Sequence, residues 1–281
     1  QSYTLTVEGV HDRAGNRMRP SRHAFQFIGA DRPLIELTFD DIEGRTAKNT
    51  GTARQTIQHA NLTAQRPTRS TNTPPAGGSH SLDFGSEPGP YAIDLPDHAV
   101  DVLDRIASFT VTAWVNCTSD AIGAGGNRIV HMADTLGSQA GLDLVFVSDG
   151  SLKLGINEWP DRTEAVSSPG LVPVDRSASA DNWRFIAVTY DSQAKRDQVT
   201  FYIGSPDRQA SLDKAISYDR GPLRPGAGTL TIGHFNPSTR ANHTDRMFRG
   251  LIDEVRIFAS KTDGAAALSL EEIRAVQAKR D

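Results

Sequence analysis

The sequence is poor in cysteine, in long apolar runs and in excess charge of either sign, and each shortage excludes a class of protein. Its single cysteine, Cys117, allows no internal disulfide and no cysteine-rich zinc site. No stretch approaches the roughly 18 consecutive apolar residues that a membrane-spanning helix needs. The 30 lysines and arginines are outnumbered by 34 aspartates and glutamates, so nothing indicates a basic surface for nucleic acid.

Segments with the period of an α-helix are also scarce, and short alternating runs take their place. Beyond Ala30 these runs are separated by clusters of Gly, Pro, Asn, Asp and Ser, a rhythm typical of a β-sandwich. Without helices between the strands, parallel βαβ units are excluded and antiparallel sheets are implied. The predicted strands are 34–39, 81–84, 91–95, 109–115, 128–132, 142–147, 152–156, 183–190, 199–203, 230–232 and 251–258.

Two long polar stretches and one helix complete the predicted organisation. Residues 46–78 and 157–181 are too rich in Thr, Ser, Pro and Gly to belong to the core, and loops of this length are usually functional or mobile. Near the end of the sequence, Ser269 and Glu272 have the spacing of a capping box. The apolar positions that follow predict a short helix whose narrow apolar face lies against the sandwich.

The first thirty residues predict a separate β-hairpin. Residues 3–7 alternate between apolar and polar, residues 12–16 supply turn chemistry, and alternation resumes at 25–27. Two strands alone are marginally stable in water, so the hairpin should need a further surface. The segment TLTVEGVHDRAGN resembles the closing strands of bacterial immunoglobulin-like domains, which implies that residues 1–30 end such a domain in a longer protein. An extension of the main domain is the alternative.

Alternation within two later motifs predicts which faces are buried. In SFTVTAWVN (108–116), alternate residues from Phe109 to Val115 share one face, while Thr110 and Trp114 lie on the other. The strand in DNWRFIAVTYD (181–191) is apolar on both faces, so it should be central and covered.

Together with LTFDD (37–41), FRGLIDEVRIF (248–258) and the helix start LSLEEI (268–273), these motifs occur in the order of one known family. Residues 33–281 resemble the LamG-like, or concanavalin A-like, jelly roll of laminin-type modules, pentraxin-like domains and many bacterial polysaccharide-degrading proteins. The resemblance implies an all-β, antiparallel two-sheet jelly-roll sandwich. One short C-terminal helix and the N-terminal hairpin would accompany it.

Asp253 is the most informative polar residue. It has the same parity as its aliphatic neighbours Leu251 and Val255, whereas Glu254 and Arg256 fall on the opposite face. This pattern predicts a buried carboxylate. Because an unpaired buried charge is too costly to persist, an ion, a cationic side chain or several N–H donors must neutralise it.

A calcium ion is one candidate for this role. Asp41 extends the apolar parity of an early strand, which in a jelly roll usually lies beside a late one. Asp41 and Asp253, with backbone carbonyls, would suit calcium, which takes six to eight oxygens. The LamG resemblance implies the same structural ion. The alternative is that Asp253 accepts backbone hydrogen bonds in a β-bulge while Asp41 caps the turn before Gly44.

Patterns typical of catalysis are absent from the sequence. Concanavalin A-like glycosidases carry carboxylates on alternate residues, as E-x-D-x-x-E, because retaining hydrolysis needs an acid and a nucleophile about 5 Å apart. No such array occurs, and Asp253 and Glu254 are adjacent, so a strand would point them to opposite faces. The G-x-S-x-G and H-E-x-x-H motifs are missing too. We therefore expect no catalytic residue in this chain.

Two loops combine residue types that sugar sites use. Trp159 is the best candidate for stacking on a sugar ring, with Arg162 beside it, and His234, Asn236 and Arg246 share a second polar loop. A flat aromatic with a few placed polar groups is typical of ligand sites. The alternatives are a tryptophan packed beneath its own loop and arginines on a solvated rim.

These features favour a non-catalytic carbohydrate-binding or accessory module of a secreted or cell-surface bacterial multidomain protein, itself a degrader of polysaccharides. Its expected partners are a polysaccharide or cell-surface glycan and other domains of the parent protein, with no nucleic acid and no membrane span. A structural or adhesive module is the main alternative, and a glycoside hydrolase or polysaccharide lyase is a third. Fold analogy alone does not decide between them.

Overall fold

Strands make up most of the ordered chain. The computed structural model describes residues 2–7, 16, 21–26, 32–96, 99–120, 126–133, 140–158, 165–174, 177, 179–224 and 229–279. The first nine strands are β1 (Ser2–Val7), β2 (Ser21–Gln26), β3 (Ile35–Leu37), β4 (Ile42–Glu43), β5 (Thr46–Lys48), β6 (His59–Leu62), β7 (Thr68–Ser70), β8 (Ser81–Asp83) and β9 (Ile93–Asp94).

The longer strands follow in the second part of the chain. They are β10 (Ser108–Cys117), β11 (Asn127–Met132), β12 (Leu142–Phe146), β13 (Leu152–Ile156), β14 (Ala165–Val166), β15 (Arg184–Asp191), β16 (Val199–Ser205), β17 (Arg208–Ile216), β18 (Thr231–Ile232) and β19 (Gly250–Ser260). The helices are α1 (Ala99–Val102), α2 (Pro237–Arg240) and α3 (Leu270–Ala278), with 3₁₀ turns at Thr52–Gln55, Ala180–Asn182 and Thr244–Arg246.

Two antiparallel sheets form the predicted jelly-roll sandwich. The first sheet has the order β17-β16-β15-β10-β19-β8-β7, and β3 also pairs with β19. The second sheet has the order β14-β13-β12-β11-β18-β9-β6-β5-β4. The pairing of β3 with β19 confirms that an early strand lies beside a late one.

The predicted pair of N-terminal strands is also confirmed. β1 and β2 pair with each other as a two-stranded antiparallel sheet. Residues 12–15 of the predicted turn and position 27 lie outside the described residues. The relation of this hairpin to an immunoglobulin-like domain stays a prediction.

The main core lies between the two sheets, and a smaller second core covers the outer face of the first. Phe109 and Val111 of β10 belong to the main core, as alternation predicts. Trp114 belongs to the second core, with Trp183 and Phe185 of β15. Since β15 pairs with β10 on one side and β16 on the other, its predicted central position is confirmed.

The helix α3 covers part of this second core. Its capping box forms as predicted, because the Ser269 side chain accepts from the Glu272 backbone N–H and the Glu272 side chain accepts from the Ser269 N–H. Ile273 and Val276 are buried against the second core. Full burial of an aliphatic side chain contributes roughly 1.5–3 kcal/mol, so these two residues hold the helix in place.

The prediction that residues 46–78 stay outside the core is wrong in part. This stretch contains β5, β6 and β7, and five of its apolar residues belong to the main core: Ala47, Ala53, Ile57, Ala60 and Leu62. The strands are so short that one or two apolar residues suffice to cover their inner face. Within the described part of 157–181, β14 likewise contributes Ala165 to the core.

None of the helices in the described residues is long and apolar enough to cross a membrane.

Candidate functional site

The residues predicted to bind sugar fall on two separate segments. Trp159 and Arg162 lie outside the described residues, in the gap that follows Glu158. His234, Asn236 and Arg246 lie between β18 and β19.

The strand end that leads to Trp159 is firmly anchored. Asn157 adopts a positive φ of 53°, and its side chain donates to the Arg220 and Pro222 carbonyls, both at 2.8 Å. The side-chain Oδ1 of Asn157 accepts from the Arg224 backbone N–H at 2.8 Å. These three hydrogen bonds clamp the end of β13 to the segment that follows β17.

Glu158 extends this clamp by one residue. Its carboxylate accepts hydrogen bonds from the Tyr218 hydroxyl and the Arg220 guanidinium. Burial and the neighbouring Glu158 carboxylate together raise the pKa of Tyr218, so the phenol stays protonated. Glu158, the last described residue before Trp159, is therefore held firmly by its neighbours.

His234 and Asn236 direct their polar groups into the protein. The His234 side chain is fully buried, and burial lowers its pKa to about 3, with the charges of Arg240 and Arg128 as smaller causes. Asn236 caps α2 by accepting from the Thr239 N–H at 3.2 Å, and its amide donates to the Ala133 carbonyl. Both residues thus hold the 233–248 segment in place.

Arg246 differs from these two residues in being partly exposed. Its Nε lies 3.3 Å from the Asp245 carboxylate, and its side chain is 23% exposed. Of the three residues predicted on this segment, Arg246 is the one with an appreciable solvent-facing surface.

Beneath this segment lies a buried ionic cluster that sequence reasoning missed. The Asp143 carboxylate lies 2.9 Å from His131 Nδ1 and 3.3 Å from Arg128 Nη2. The Arg128 guanidinium stacks 4.0 Å from the centroid of the Phe235 ring. Arg128 and His131 have opposite parity along β11, and they share a face because a bulge lies between Arg128 and Val130. The cluster is sealed, since the side chains of Arg128, His131 and Asp143 are all buried.

The predicted burial of Asp253 is confirmed, but the face is not the one that parity suggests. Glu254 has a positive φ of 52°, and the register of β10 with β19 shifts there, which marks a β-bulge. As a result Asp253 pairs with Trp114 on the outer side, whereas Val255 belongs to the main core. A single extra residue reverses the alternation.

The two oxygens of Asp253 have different surroundings. Oδ1 accepts from the Glu254 N–H at 2.8 Å, which is the bulge hydrogen bond of the alternative interpretation. Oδ2 is buried without a hydrogen-bond partner, and a Cβ on Gly77 would lie 2.5 Å from it. Burial, followed by the charges of Glu254 and Asp40, raises the pKa of Asp253 well above its usual range. This oxygen needs either a proton or a cation.

Asp40, rather than the predicted Asp41, accompanies Asp253. Asp40 Oδ1 accepts from the N–H and hydroxyl of Ser79 and from the His80 N–H, while its Oδ2 lies against Gly78. The Asp41 side chain is 70% exposed and lies 4.0 Å from Lys48. An exposed carboxylate cannot share a buried ion with Asp253, so the predicted pair is not brought together.

Few acidic side chains among the described residues surround the orphaned oxygen of Asp253. No group of three or more His, Cys, Asp or Glu side chains in the described part of the chain is arranged to hold a metal ion. The orphaned Oδ2 of Asp253 and the neighbouring Asp40 supply two carboxylates, so backbone carbonyls would have to supply most ligands of a calcium ion.

The other carboxylate of the bulge is compensated by arginine. Glu254 and Arg256, which parity placed on the face opposite Asp253, are both buried and form an ion pair. Arg256 Nε also donates to Glu36 at 2.8 Å, and Lys279 Nζ lies 2.5 Å from the same oxygen. Burial alone would raise the pKa of Glu36, but the hydrogen bonds from Lys279 and Arg256 outweigh it and lower the pKa.

An open polar groove lies beside Asp40 and Asp41, at the end of the second sheet. Its volume is about 660 Å³. Its floor is fixed by the buried Asn49, which accepts from the Glu36 and Gly51 N–H groups at 2.9 and 3.0 Å. The lining side chains offer carboxylates, amides, a hydroxyl and cations: Asp40, Asp41, Ile42, Glu43, Thr46, Lys48, Asn49, Arg54, Gln55, Gln58 and His59. Sequence reasoning had treated most of this region as loop.

Comparison with known proteins places these features in a family. The model of the Laminin_G_3 family, described as the concanavalin A-like lectin/glucanases superfamily, matches residues 89–273, about two thirds of the chain. No curated protein is similar enough in sequence to count as a relative.

Solved structures with the same fold include binding domains of botulinum neurotoxins. The serotype G binding domain has a TM-score of 0.53 and 12% identity, covering 87% of this chain and 50% of that one. The neurotoxin DC binding domain, solved in complex with rat synaptotagmin II, has a TM-score of 0.50 and 13% identity, covering 89% and 52%. The chain thus spans about half the length of these proteins, and at such identities the likeness shows a shared fold alone.

Proposed function

Because the chain belongs to the Laminin_G_3 family of concanavalin A-like lectins and glucanases, we propose that it is a non-catalytic binding module whose ligand is a glycan. The observation that carries this proposal is the open polar groove beside Asp40 and Asp41. Its volume of about 660 Å³ lies within the range of ligand pockets, roughly 300–1,000 Å³.

The side chains of the groove suit sugar hydroxyls, which both donate and accept hydrogen bonds. Asp41 and Glu43 offer acceptors, Lys48 and Arg54 offer donors, and Gln58 offers both. The exposed Arg54 side chain donates to none of the described residues, so its guanidinium is available to a ligand.

A binding role fits the buried carboxylates better than a catalytic one. Among the described residues, Glu254 is paired with the buried Arg256, and Asp143 with His131 and Arg128. Hydrolysis of a glycoside needs two carboxyl groups that reach the scissile bond. Carboxylates sealed by their own partners do not meet that need.

The wider setting of the module is also a proposal. We infer a secreted or cell-surface bacterial protein of several domains that degrades polysaccharides. In that protein, this module would hold the glycan near the other domains. The anchored clamp at Asn157 and Glu158 supports a second contact with the glycan by Trp159 and Arg162, which follow the clamp in the sequence.

A calcium ion belongs to the same proposal. The residues that would hold it are Asp253, through its orphaned Oδ2, and Asp40. When bound, the ion would compensate the charge of the buried carboxylate and so fix the 74–79 loop over the first sheet.

The second candidate is a module that binds a protein. One botulinum neurotoxin binding domain of the same fold is solved in complex with rat synaptotagmin II, which favours this alternative. It predicts no affinity for any polysaccharide.

Affinity electrophoresis through gels that contain single polysaccharides tests the glycan proposal. The chain should be retarded by at least one polysaccharide, and Arg54→Ala and Gln58→Ala should each weaken the affinity by about tenfold, the effect of one lost hydrogen bond to a ligand. Arg105→Ala is the control, because Arg105 is 85% exposed and lies outside the groove.

If both groove variants are retarded as strongly as the wild type, the glycan site lies outside the groove. No retardation by any polysaccharide would reject the glycan proposal and favour the protein-binding alternative.

A further inference from the structure

A second cavity lies on the outer face of the first sheet, and none of its lining residues lines the groove at the end of the second sheet. It opens between α3 and the 74–79 loop and has a volume of about 260 Å³. Trp114 of β10 forms part of its floor, and the turn at 205–209 and the last turn of α3 form its walls.

The side chains around this cavity offer unused hydrogen-bond donors. The Trp114 indole N–H and the Arg208 guanidinium donate to none of the described residues. Arg274 donates from Nε to the Ala210 carbonyl at 2.9 Å, which leaves its two terminal nitrogens without an acceptor in the described part of the chain.

Most of the acceptors on the walls are already engaged. The Asp207 carboxylate accepts from the Ser205 hydroxyl at 2.5 Å. The Gln277 amide accepts from the Ala210 N–H and donates to the Arg208 and Ser205 carbonyls. Gln209 adds one amide that offers both kinds of group. A ligand in this cavity therefore meets mainly N–H donors.

The charge around the cavity is positive. Arg184 lies next to Arg208 and Asp207, and burial followed by the charge of Arg208 lowers the pKa of Arg184. The cavity lining itself holds two arginines, Arg208 and Arg274, and one aspartate, Asp207. A bound anion would relieve this repulsion, and planar guanidinium groups match a carboxylate in two-point geometry.

The size of the cavity limits the ligand. A volume of about 260 Å³ lies just below the range of pockets for drug-sized ligands, so a single sugar ring or a small organic acid fits. The Trp114 side chain is 2% exposed. It can offer its N–H edge but no broad stacking face, so charge rather than stacking selects the ligand.

We propose that this cavity binds the carboxylate of a small anion, held by Arg208, Arg274 and the Trp114 indole N–H. The chemical class includes the uronic acid units of acidic polysaccharides and free organic acids. The site shares no lining residue with the groove, so it stands or fails independently of the glycan proposal.

The indole ¹H–¹⁵N resonance of Trp114 reports directly on the site, and Trp114→Phe assigns it among the three tryptophans. Titration of the full chain with sodium D-glucuronate should shift this resonance in a saturable manner. D-glucose, the neutral analogue, should leave it unchanged. Sodium acetate separates the sources: equal binding of acetate assigns the site to organic acids, and tighter binding of glucuronate assigns it to acidic sugars.

Substitution of the arginines tests the geometry. Arg208→Gln and Arg274→Gln should each weaken glucuronate binding by about tenfold, since a charge-assisted hydrogen bond is lost. Arg105→Gln, which removes an exposed arginine elsewhere, should bind as the wild type does. Arg208→Gln remains informative even if Arg274→Gln is unstable, because Arg208 is exposed and its side chain has no partner among the described residues.

Three results would overturn the proposal. They are the absence of a saturable shift with glucuronate and acetate, an equal shift with D-glucose, or full affinity in folded Arg208→Gln protein.

Discussion

The two adjacent carboxyl groups in the bulge of β19 differ in whether a cation compensates their charge. Glu254 is paired with the buried Arg256, whereas Asp253 has a backbone hydrogen bond to one oxygen and nothing on the other. Removing one partner of a buried ion pair leaves an uncompensated charge and costs about 3–5 kcal/mol. Asp253 is therefore the residue whose protonation or ligation responds to conditions.

At the same scale, His234 makes the stability of the fold depend on pH. Its pKa in the folded chain is about 3, against about 6.5 in an unfolded chain. Between these values the unfolded state binds a proton that the native state excludes, so this contribution is complete above about pH 6.5 and is lost as the pH falls. His234→Gln should reduce the slope of unfolding free energy against pH by about 1.4 kcal/mol per pH unit between about pH 4 and 6.

Urea denaturation at several pH values measures this slope. His59→Gln is the matched control, because His59 is exposed, and it should keep the wild-type slope. An unchanged slope in His234→Gln would mean that the buried imidazole takes up its proton in the native state.

Single residues also mark the limit of prediction from sequence. Alternation along β19 correctly predicted that Asp253 is buried but not on which face, because the positive φ of Glu254 adds a residue to the strand. The bulge in β11 hid the cluster of Arg128, His131 and Asp143 in the same way. A bulge has no strong local sequence signal for residues other than glycine, so it emerges only from the pairing of two strands.

Among the elements, α3 depends on its first turn. In the capping box, Ser269 Oγ accepts from the Glu272 N–H, and the Ser269 N–H donates to Glu272 Oε2 at 2.8 Å. Ser269→Ala removes the cap and should lower the free energy of unfolding by about 1 kcal/mol.

The midpoint of urea unfolding measures this loss. Ser211→Ala serves as the control, since Ser211 is exposed and its side chain has no hydrogen bond among the described residues. Equal stability of both variants would show that packing of Ile273 and Val276 alone holds the helix.

Strands with two apolar faces were predictable, and strands with polar faces were not. β10 and β15 were predicted correctly because each strand buries one face in the main core and the other face in the second core. β17 was missed because most of its residues face solvent, including Leu212, which is 55% exposed. For such a strand, backbone pairing with β16 rather than side-chain burial decides the structure.

For the whole molecule, calcium should appear as a change in thermal stability. An ion that binds only the native state stabilises it by about 2.7 kcal/mol at a hundredfold excess over its Kd. For a domain of this size that corresponds to about 5–10 °C in Tm between calcium and EDTA. Asp253→Asn should abolish the difference and still fold, because the amide is nearly isosteric with a protonated carboxyl group.

Differential scanning calorimetry with and without EDTA makes this comparison, and Asp41→Asn is its matched control. Since the Asp41 side chain is 70% exposed, this variant should keep the full calcium response. A wild-type Tm that is equal in calcium and EDTA would exclude the structural ion. A response lost in Asp41→Asn would restore the pair expected from sequence.

Across the whole chain, the sandwich was predictable from its motifs because short alternating strands and missing helices leave few other architectures. The site was less predictable. The groove is built from β4, β5, the 3₁₀ turn, β6 and the residues that join them. Its side chains, among them Asp40, Lys48, Arg54 and Gln58, come together only when these short strands pair. In such a region the sequence shows that the residues are polar, but it does not show which side chains meet in one groove.

The contacts between α3 and β17 have a further consequence for the protein in concentrated solution. β17 is the terminal strand of its sheet, and an uncovered strand of this kind is a template for pairing with another molecule. The side chains of Arg274 and Gln277 form hydrogen bonds with the backbone groups of Arg208 and Ala210 on this strand. The helix therefore protects this edge of the sheet from pairing with another molecule. If its last turns fray, the exposed backbone groups of β17 could pair with a strand of a second chain.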